Sequence, residues 1–482
     1  MTETAERPAG RPWLIQGGMG VGVSGWRLAR AVSRTGQLGV VSGTALDVLL
    51  ARTLQLGDPG GHLRRALAAF PYPELAAAVL ERYHVPGGVG GHRPFRSVPR
   101  LRAGHDGPAE LLTVLGNFAE VYLAKEGHDG LVGVNYLEKV QMATAPAMFG
   151  AILAGVDHVL VGAGVPGQIP RLATRLAQGS PVTVNVHVEG DEAPFPHRFD
   201  PRLGCGERTA QLVPHLRRPS VLAIVSLPAL ATYLAREEAT RPDGFVIETS
   251  VAGGHSAPPR RPALDPDGEP LYGPRDEPDL TKMRALGLPF WLAGGRAHPE
   301  LLARARESGA AGVQLGSVFA LCEESGLAAP LRGELIARAR AGTLRVRNDP
   351  GASPTSFPFK LAELPNTLAD PALAAARRRV CDIGLLRTPW RTPDGGLGYR
   401  CAAEPVASYV AKGGDPAAAE GKQCLCNGLL ATVGLGQRRP GGRVEPPLVT
   451  IGKDLRFLAE LSPAGLPYTA ADVVGWLAGG LR

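Results

Sequence analysis

The feature that most restricts the fold is a series of short apolar runs that end in glycine or polar residues and alternate with alanine- and leucine-rich stretches. They are WLIQGG, LGVVSG, LVGVNY, HVLVGAG, VTVNVHV, VLAIVS, FVIETS, PFWLAGG and GVQLGS, starting at residues 13, 38, 131, 158, 182, 221, 245, 289 and 312. β-rich runs that turn polar only at their C-terminal ends, with helical stretches between them, imply a parallel sheet covered on its outside. The expected fold is therefore α/β, a (β/α)8 TIM barrel, with nine candidates for eight strands. VTVNVHV is followed by the proline- and charge-rich EGDEAPFPHRFDPR and is expected to leave the barrel as an accessory excursion.

The chain has 482 residues, more than a barrel of roughly 250 to 350 residues needs. The barrel is expected over 12–340. Residues 341–482 have few strand-like runs and many Pro and Gly, as in NDPGASPTSFPF, and are expected to form a mainly helical C-terminal extension capping the barrel. The stretch APPRRPALDPDGEPLYGPRDEPD, about 256–280, reads as an insertion at the active-site face, where long loops serve as lids or substrate selectors.

Composition excludes several classes. Hydrophobic residues make up 44% and charged residues 20%, as in a globular protein. The formal charge of +7 raises the question of nucleic acid, but the arginines are scattered and no basic run is interleaved with aromatics, so no nucleic-acid partner is expected. MTETAERPAG lacks a basic patch before an apolar stretch, and no run of about 18 apolar residues occurs. No membrane association and a cytoplasmic location are expected. The six cysteines, at 205, 322, 381, 401, 424 and 426, match neither a disulfide framework nor a common zinc ribbon. Only Cys424 and Cys426 are close in sequence; the thiols read as reduced, with no metal.

Every barrel strand points its C-terminal end at one face, and that face carries the chemistry. Here the ends are rich in glycine. Gln16-Gly17-Gly18-Met19-Gly20 follows the first run, and backbone without side chains lets a planar ring lie close. Asn135 ends the third run, and Ala252-Gly253-Gly254-His255 follows the seventh. Ala293-Gly294-Gly295 and Gln314-Leu315-Gly316-Ser317 stand just before helices, a pattern that suits a phosphate held by free N–H groups. Gly162-Ala163-Gly164-Val165-Pro166-Gly167 fits dinucleotide spacing, but it lies inside the strand–helix series and reads as the fourth barrel loop. Ser24 reads as a helix cap, Glu138 and Glu248 as structural, and Lys139 and Gln141 as either flavin contacts or a solvated helix start.

The segments IQGGMGVGVSGWRLARAVSRTGQLGVVSGT, GVNYLEKVQ, the GGH after FVIETS, PFWLAGG and GVQLGSVFALCEES resemble, in order, the nitronate monooxygenase family, formerly 2-nitropropane dioxygenases. The likeness covers roughly residues 12 to 330, and GKQCLCNGLLATVGLGQ resembles a long-chain subgroup. The resemblance implies FMN, with Gly17, Gly18, Met19, Asn135 and Gln314 at its ring and ribityl chain, and Gly254, Gly294, Gly295, Gly316 and Ser317 at its phosphate. It makes His255 the catalytic candidate, taking a proton from the carbon beside a nitro group or holding the nitronate. The implied activity is oxidation of alkyl nitronates with O2 to a carbonyl compound and nitrite. The family also contains flavin enoyl-acyl carrier protein reductases, so an NAD(P)H-dependent enoyl-thioester reductase and a non-catalytic flavin-binding partner protein stay open. The partner is a small-molecule substrate; the oligomeric state is open, a homodimer among the options. Val251 stands where many members carry an acidic residue, and Ser256-Ala257-Pro258-Pro259 replaces a glycine, which points to a different substrate pocket.

Overall fold

The computed structural model describes residues 11–91, 93–104 and 107–481; the N-terminal MTETAERPAG lies outside them. In chain order the first ten strands are β1 (Leu14–Gln16), β2 (Leu38–Ser42), β3 (Val132–Leu137), β4 (His158–Gly162), β5 (Val182–Val186), β6 (Phe195–Phe199), β7 (Ser220–Val225), β8 (Gly244–Glu248), β9 (Phe290–Ala293) and β10 (Gly312–Leu315). Eight of them close a barrel in the order β1-β10-β9-β8-β7-β4-β3-β2. All eight pairings are parallel, and the ring shuts where Ile15 faces Gln314.

Two-sided burial explains why these strands read as continuous apolar runs. Ile15, Leu38, Val40, Leu160, Leu222, Val246 and Trp291 fill the barrel interior as one cluster. Their neighbours Leu14, Val41, Val159 and Phe245 face outward into the helix-packed clusters. The Trp291 indole N–H donates to the Pro12 carbonyl at 2.8 Å, which satisfies its polar edge inside the core. Gly39 lets the Trp26–Ser33 helix press onto β2, since a Cβ there would lie 1.9 Å from the Ala29 carbonyl oxygen.

The fifth run leaves the barrel as expected. β5 pairs antiparallel with β6 from the proline-rich stretch after it, and Val182, Val184 and Val186 are buried while Thr183 and Asn185 are exposed. That period of two marks a strand with one wet face.

Beyond residue 341 the chain carries the helices Pro371–Ala376, Val406–Ala411, Leu425–Thr432, Leu458–Leu461 and Ala470–Ala478. It also carries two antiparallel hairpins that the sequence pattern does not announce, β11 (Val346–Asp349) with β12 (Phe359–Ala362), and β13 (Thr388–Arg391) with β14 (Leu397–Arg400). Four-residue strands, one containing Pro389, give too little periodicity to be read. The last helix starts with a capping box between Thr469 and Asp472. It packs Val473, Val474 and Leu477 into the same cluster as barrel residues Leu14, Phe290 and Val313. Among the described residues no helix is long and apolar enough to cross a membrane.

The 256–280 insertion is tied down. Asp276 accepts from the Arg260 and Gly273 N–H groups, both at 2.8 Å. Glu269 accepts from Asn348 N at 3.0 Å and is paired with Lys453, which joins the insertion to the C-terminal part.

Candidate active site

Two cavities meet at the C-terminal ends of the strands. The larger, about 440 Å³, is lined by Gly18, Asn135, Gly254, His255 and Gln314 among others. The smaller, about 160 Å³, is lined by Gly17, Met19, Gly294, Gly295, Gly316 and Ser317. Gly18, Glu248, Gly254 and Gln314 line both. The residues that the sequence marks for cofactor and catalysis thus lie on one continuous space. FVIETS, the seventh run, is the sixth barrel strand because the fifth run left the ring. Gly294-Gly295 and Gly316-Ser317 therefore follow the seventh and eighth strands, the usual phosphate position in such barrels.

The loop after β1 is held from below. Gln16 is fully buried; its Nε2 donates to the Gly17 carbonyl at 2.5 Å and to Ser24 Oγ at 2.9 Å, while its Oε1 accepts from Val40 N at 3.0 Å. Ser24 was expected as a helix cap. Instead Gly25 is the cap residue, and the Ser24 hydroxyl donates to the Gly17 carbonyl and accepts from Met19 N at 3.1 Å. This pair fixes the flat Gly17–Met19 backbone. Gly18 has to be glycine because a Cβ there would lie 2.4 Å from that of Asn135.

The smaller cavity has the chemistry of an anion site. The backbone N–H groups of Gly294, Gly295, Gly316 and Ser317 donate to no acceptor among the described residues. Arg296 lines the same space with its Nε buried and unpartnered, and so does the Gln314 Oε1. Unpaired buried polar groups are costly, so Arg296 Nε and Gln314 Oε1 beside four free N–H groups on one void indicate a ligand that completes them. Of the carboxylates on this wall, Asp454 is neutralised by Arg456 at 2.8 Å. Two groups assigned to phosphate are already engaged from the C-terminal part: Gly254 N donates to Thr450 Oγ1, and Ser317 Oγ accepts from Gly452 N, both at 2.9 Å. Arg296 was missed by the sequence reading, although its place directly after Gly294-Gly295 was the available signal.

Gly294 gives a direct test. It has φ +89°, and a Cβ would lie 2.3 Å from Thr249 Oγ1. Gly294→Val is expected to fold less stably by about 1–3 kcal/mol and to be isolated without the cofactor proposed below. Stoichiometric flavin absorbance in the purified variant would remove this loop from the binding site.

In the larger cavity His255 is half-buried, with Nε2 2.8 Å from Ser353 Oγ and 3.1 Å from Thr355 Oγ1, and its ring edge-on to Phe359 at 4.8 Å. Desolvation, helped by the Lys139 charge, lowers its pKa to about 4, so it is neutral at pH 7. Glu248, at the end of β8, behaves in the opposite sense: burial raises its pKa to about 7, opposed by the charge of Lys360. The Lys360 side chain lies in the core and donates to Ser256 Oγ. Sequence alone made Glu248 structural; its place on both cavities is visible only once the barrel closes. Lys139 stacks over Phe357 at 5.0 Å. Gln141 donates to Glu138 and accepts from His187 N at 2.8 Å, holding the excursion. Leu385, Leu386, Leu425 and Leu429 form an apolar cover from the C-terminal part, and Ala257, Pro258 and Tyr272 bring in the insertion.

No family model matches the chain. It is 26% identical over 178 residues, 35% of its length, to a (3aS,4S,5R,7aS)-5-hydroxy-7a-methyl-1-oxo-octahydro-1H-indene-4-carboxyl-CoA dehydrogenase of Rhodococcus jostii (strain RHA1), of which the match covers 46%. The chain thus spans about half the length of the curated relative it matches. Solved structures similar to it include a nitroalkane oxidase from Streptomyces ansochromogenes, at 16% identity, TM-score 0.48, covering 98% of this chain and 95% of that one. They also include a FabK mutant from Thermotoga maritima, at 18% identity, TM-score 0.37, covering 74% and 75%.

Proposed function

We propose that the chain is an FMN-dependent oxidoreductase, and specifically that it oxidises alkyl nitronates with O2 to a carbonyl compound and nitrite. The observation that carries this reading is the fusion of a ring-and-substrate cavity to a small cavity rimmed by unpaired backbone N–H groups at the ends of the seventh and eighth barrel strands. A phosphorylated cofactor with a planar, hydrogen-bonding ring fits both parts. Gly294, Gly295, Arg296, Gly316 and Ser317 would hold the phosphate, with Gly254 at the junction. Gly17, Gly18, Met19, Asn135 and Gln314 would face the ring. FMN bound there supplies the two-electron chemistry that no side chain of this site offers.

The chain's own residues divide the remaining work. A neutral nitroalkane must lose the proton beside its nitro group, and general bases work best with a pKa near the operating pH. Glu248 meets that condition and His255 does not. Glu248, which lines both cavities, is therefore the proposed proton acceptor when the substrate arrives as the neutral nitroalkane rather than as its nitronate. His255 remains the residue against the substrate, as a neutral hydrogen-bonding imidazole braced by Ser353 and Thr355, positioned for the oxygens on which negative charge develops. The four leucines exclude water and strengthen both interactions.

The deciding experiment is an anaerobic absorbance trace of the purified protein mixed in turn with a nitronate, NADH and NADPH. Bleaching of a flavin band by nitronate alone is the expected result. Bleaching by NADH or NADPH would replace this reading by reduction of an enoyl thioester, the alternative favoured by the likeness to a CoA-thioester dehydrogenase. Absence of flavin would overturn the cofactor assignment altogether.

A further inference from the structure

Four of the six cysteines converge. Cys381, Cys401, Cys424 and Cys426 are separated in sequence by 19, 22 and 1 residues, yet all four line one small cavity under the cover of the larger site. All four are free thiols, and Cys205 and Cys322 lie elsewhere. An isolated buried cysteine is ordinarily a small hydrophobe. Three chain segments delivering four sulfurs to one void need another explanation.

Two independent observations point to a ligand that makes the thiols anionic. The first is charge. Arg387 donates only to the carbonyls of Gly384 and Leu101, and Arg379 only to those of Ala402 and Ala419. Each feels one of these cysteines, Cys381 for Arg387 and Cys401 for Arg379, and neither faces a carboxylate among the described residues. Both side chains are half-buried and Arg387 lines the same cavity as the thiols, so two cations border the thiols without a carboxylate of their own. The second is architecture. The elements between the thiols bring little core of their own, since β13 and β14 have four residues each and the Val406–Ala411 helix contains no buried residue. Segments with so little core are commonly stapled by a metal or disulfides.

We propose that Cys381, Cys401, Cys424 and Cys426 form a structural zinc site, four thiolates around one Zn²⁺, that staples the 381–426 segment over the active-site face. Four S–Zn bonds form, four thiol protons pass to solvent, and no redox change occurs. The resulting group carries two negative charges, which Arg379 and Arg387 balance. Zinc is the d10 ion that takes four thiolates tetrahedrally without its own redox chemistry. Among the described residues no group of three His, Cys, Asp or Glu side chains forms a ready metal site, so zinc binding requires the four thiols to turn about χ1 toward the cavity they share.

The test is metal analysis of the full-length protein, purified without chelator and desalted. About one zinc per chain is expected, falling to near zero in Cys381→Ser and Cys424→Ser but not in Cys205→Ser. To separate metal loss from unfolding of a variant, the wild-type chain is also titrated with an organomercurial while a chromophoric chelator reads released zinc, which should appear in step with four modified thiols. Less than about a tenth of a zinc per wild-type chain, or iron and sulfide in its place, would overturn the assignment. None of these readouts depends on the flavin or on turnover.

Discussion

Glu248→Gln is expected to lower the rate on a neutral nitroalkane by about two to four powers of ten while leaving the flavin bound and the rate on preformed nitronate nearly unchanged. The asymmetry follows from what each substrate needs, since a preformed nitronate has already lost its proton. In the wild type, kcat/KM on the neutral substrate should rise as pH passes up through about 7, where Glu248 ionises, and this inflection should vanish in the variant. Lys360 favours the charged carboxylate, so Lys360→Met should move the inflection upward. The sign for stability is opposite: the folded pKa lies above the ordinary value of 4.5, so the contribution of Glu248 is fully present below that value and is lost as pH rises through about 7. His255→Gln separates the two roles. Loss of a hydrogen bond to developing charge costs about two to three powers of ten, and in this site it should affect both substrates. If His255→Gln impairs only the neutral nitroalkane while Glu248→Gln does nothing, the proton acceptor is His255 and Glu248 has no part in the transfer.

The barrel was legible because its signal is local. Each stave is apolar on both faces, and the ring follows from eight such runs alternating with helices. Even the excursion announced itself, through the proline- and charge-rich EGDEAPFPHRFDPR that follows VTVNVHV. The glycine rims were legible too, since Gly18 and Gly294 answer to steric demands at strand ends. What could not be read depends on distant chain. The pKa of Glu248 is pushed up to about 7 only when the closed fold buries it, against the charge of Lys360. Ser24 looks like a cap until Gln16 closes the loop beneath it. The four thiols lack any recognisable spacing because short, poorly patterned segments bring them together.

The second large effect concerns how the C-terminal part is locked. Glu445→Ala is expected to destabilise the fold by about 3–5 kcal/mol, read as a lower urea midpoint at unchanged slope. Glu445 is nearly inaccessible and pairs with two arginines, Arg377 at 2.7 Å and Arg439 at 2.5 Å, the first almost as buried. Arg439 also reaches Asp382 at 2.7 Å, and Asp382 accepts from Asn427 Nδ2 at 2.7 Å. The carboxylate thus joins the segment before the active-site cover to the segment after it. Removing it leaves the nearly inaccessible Arg377 without its carboxylate and Arg439 with only Asp382. Arg377→Met together with Glu445→Met should cost much less than Glu445→Ala, because a buried pair exchanged for apolar side chains of similar volume is often near neutral. Equal losses in the single and double variants would mean that the cost comes from packing rather than from unpaired charge.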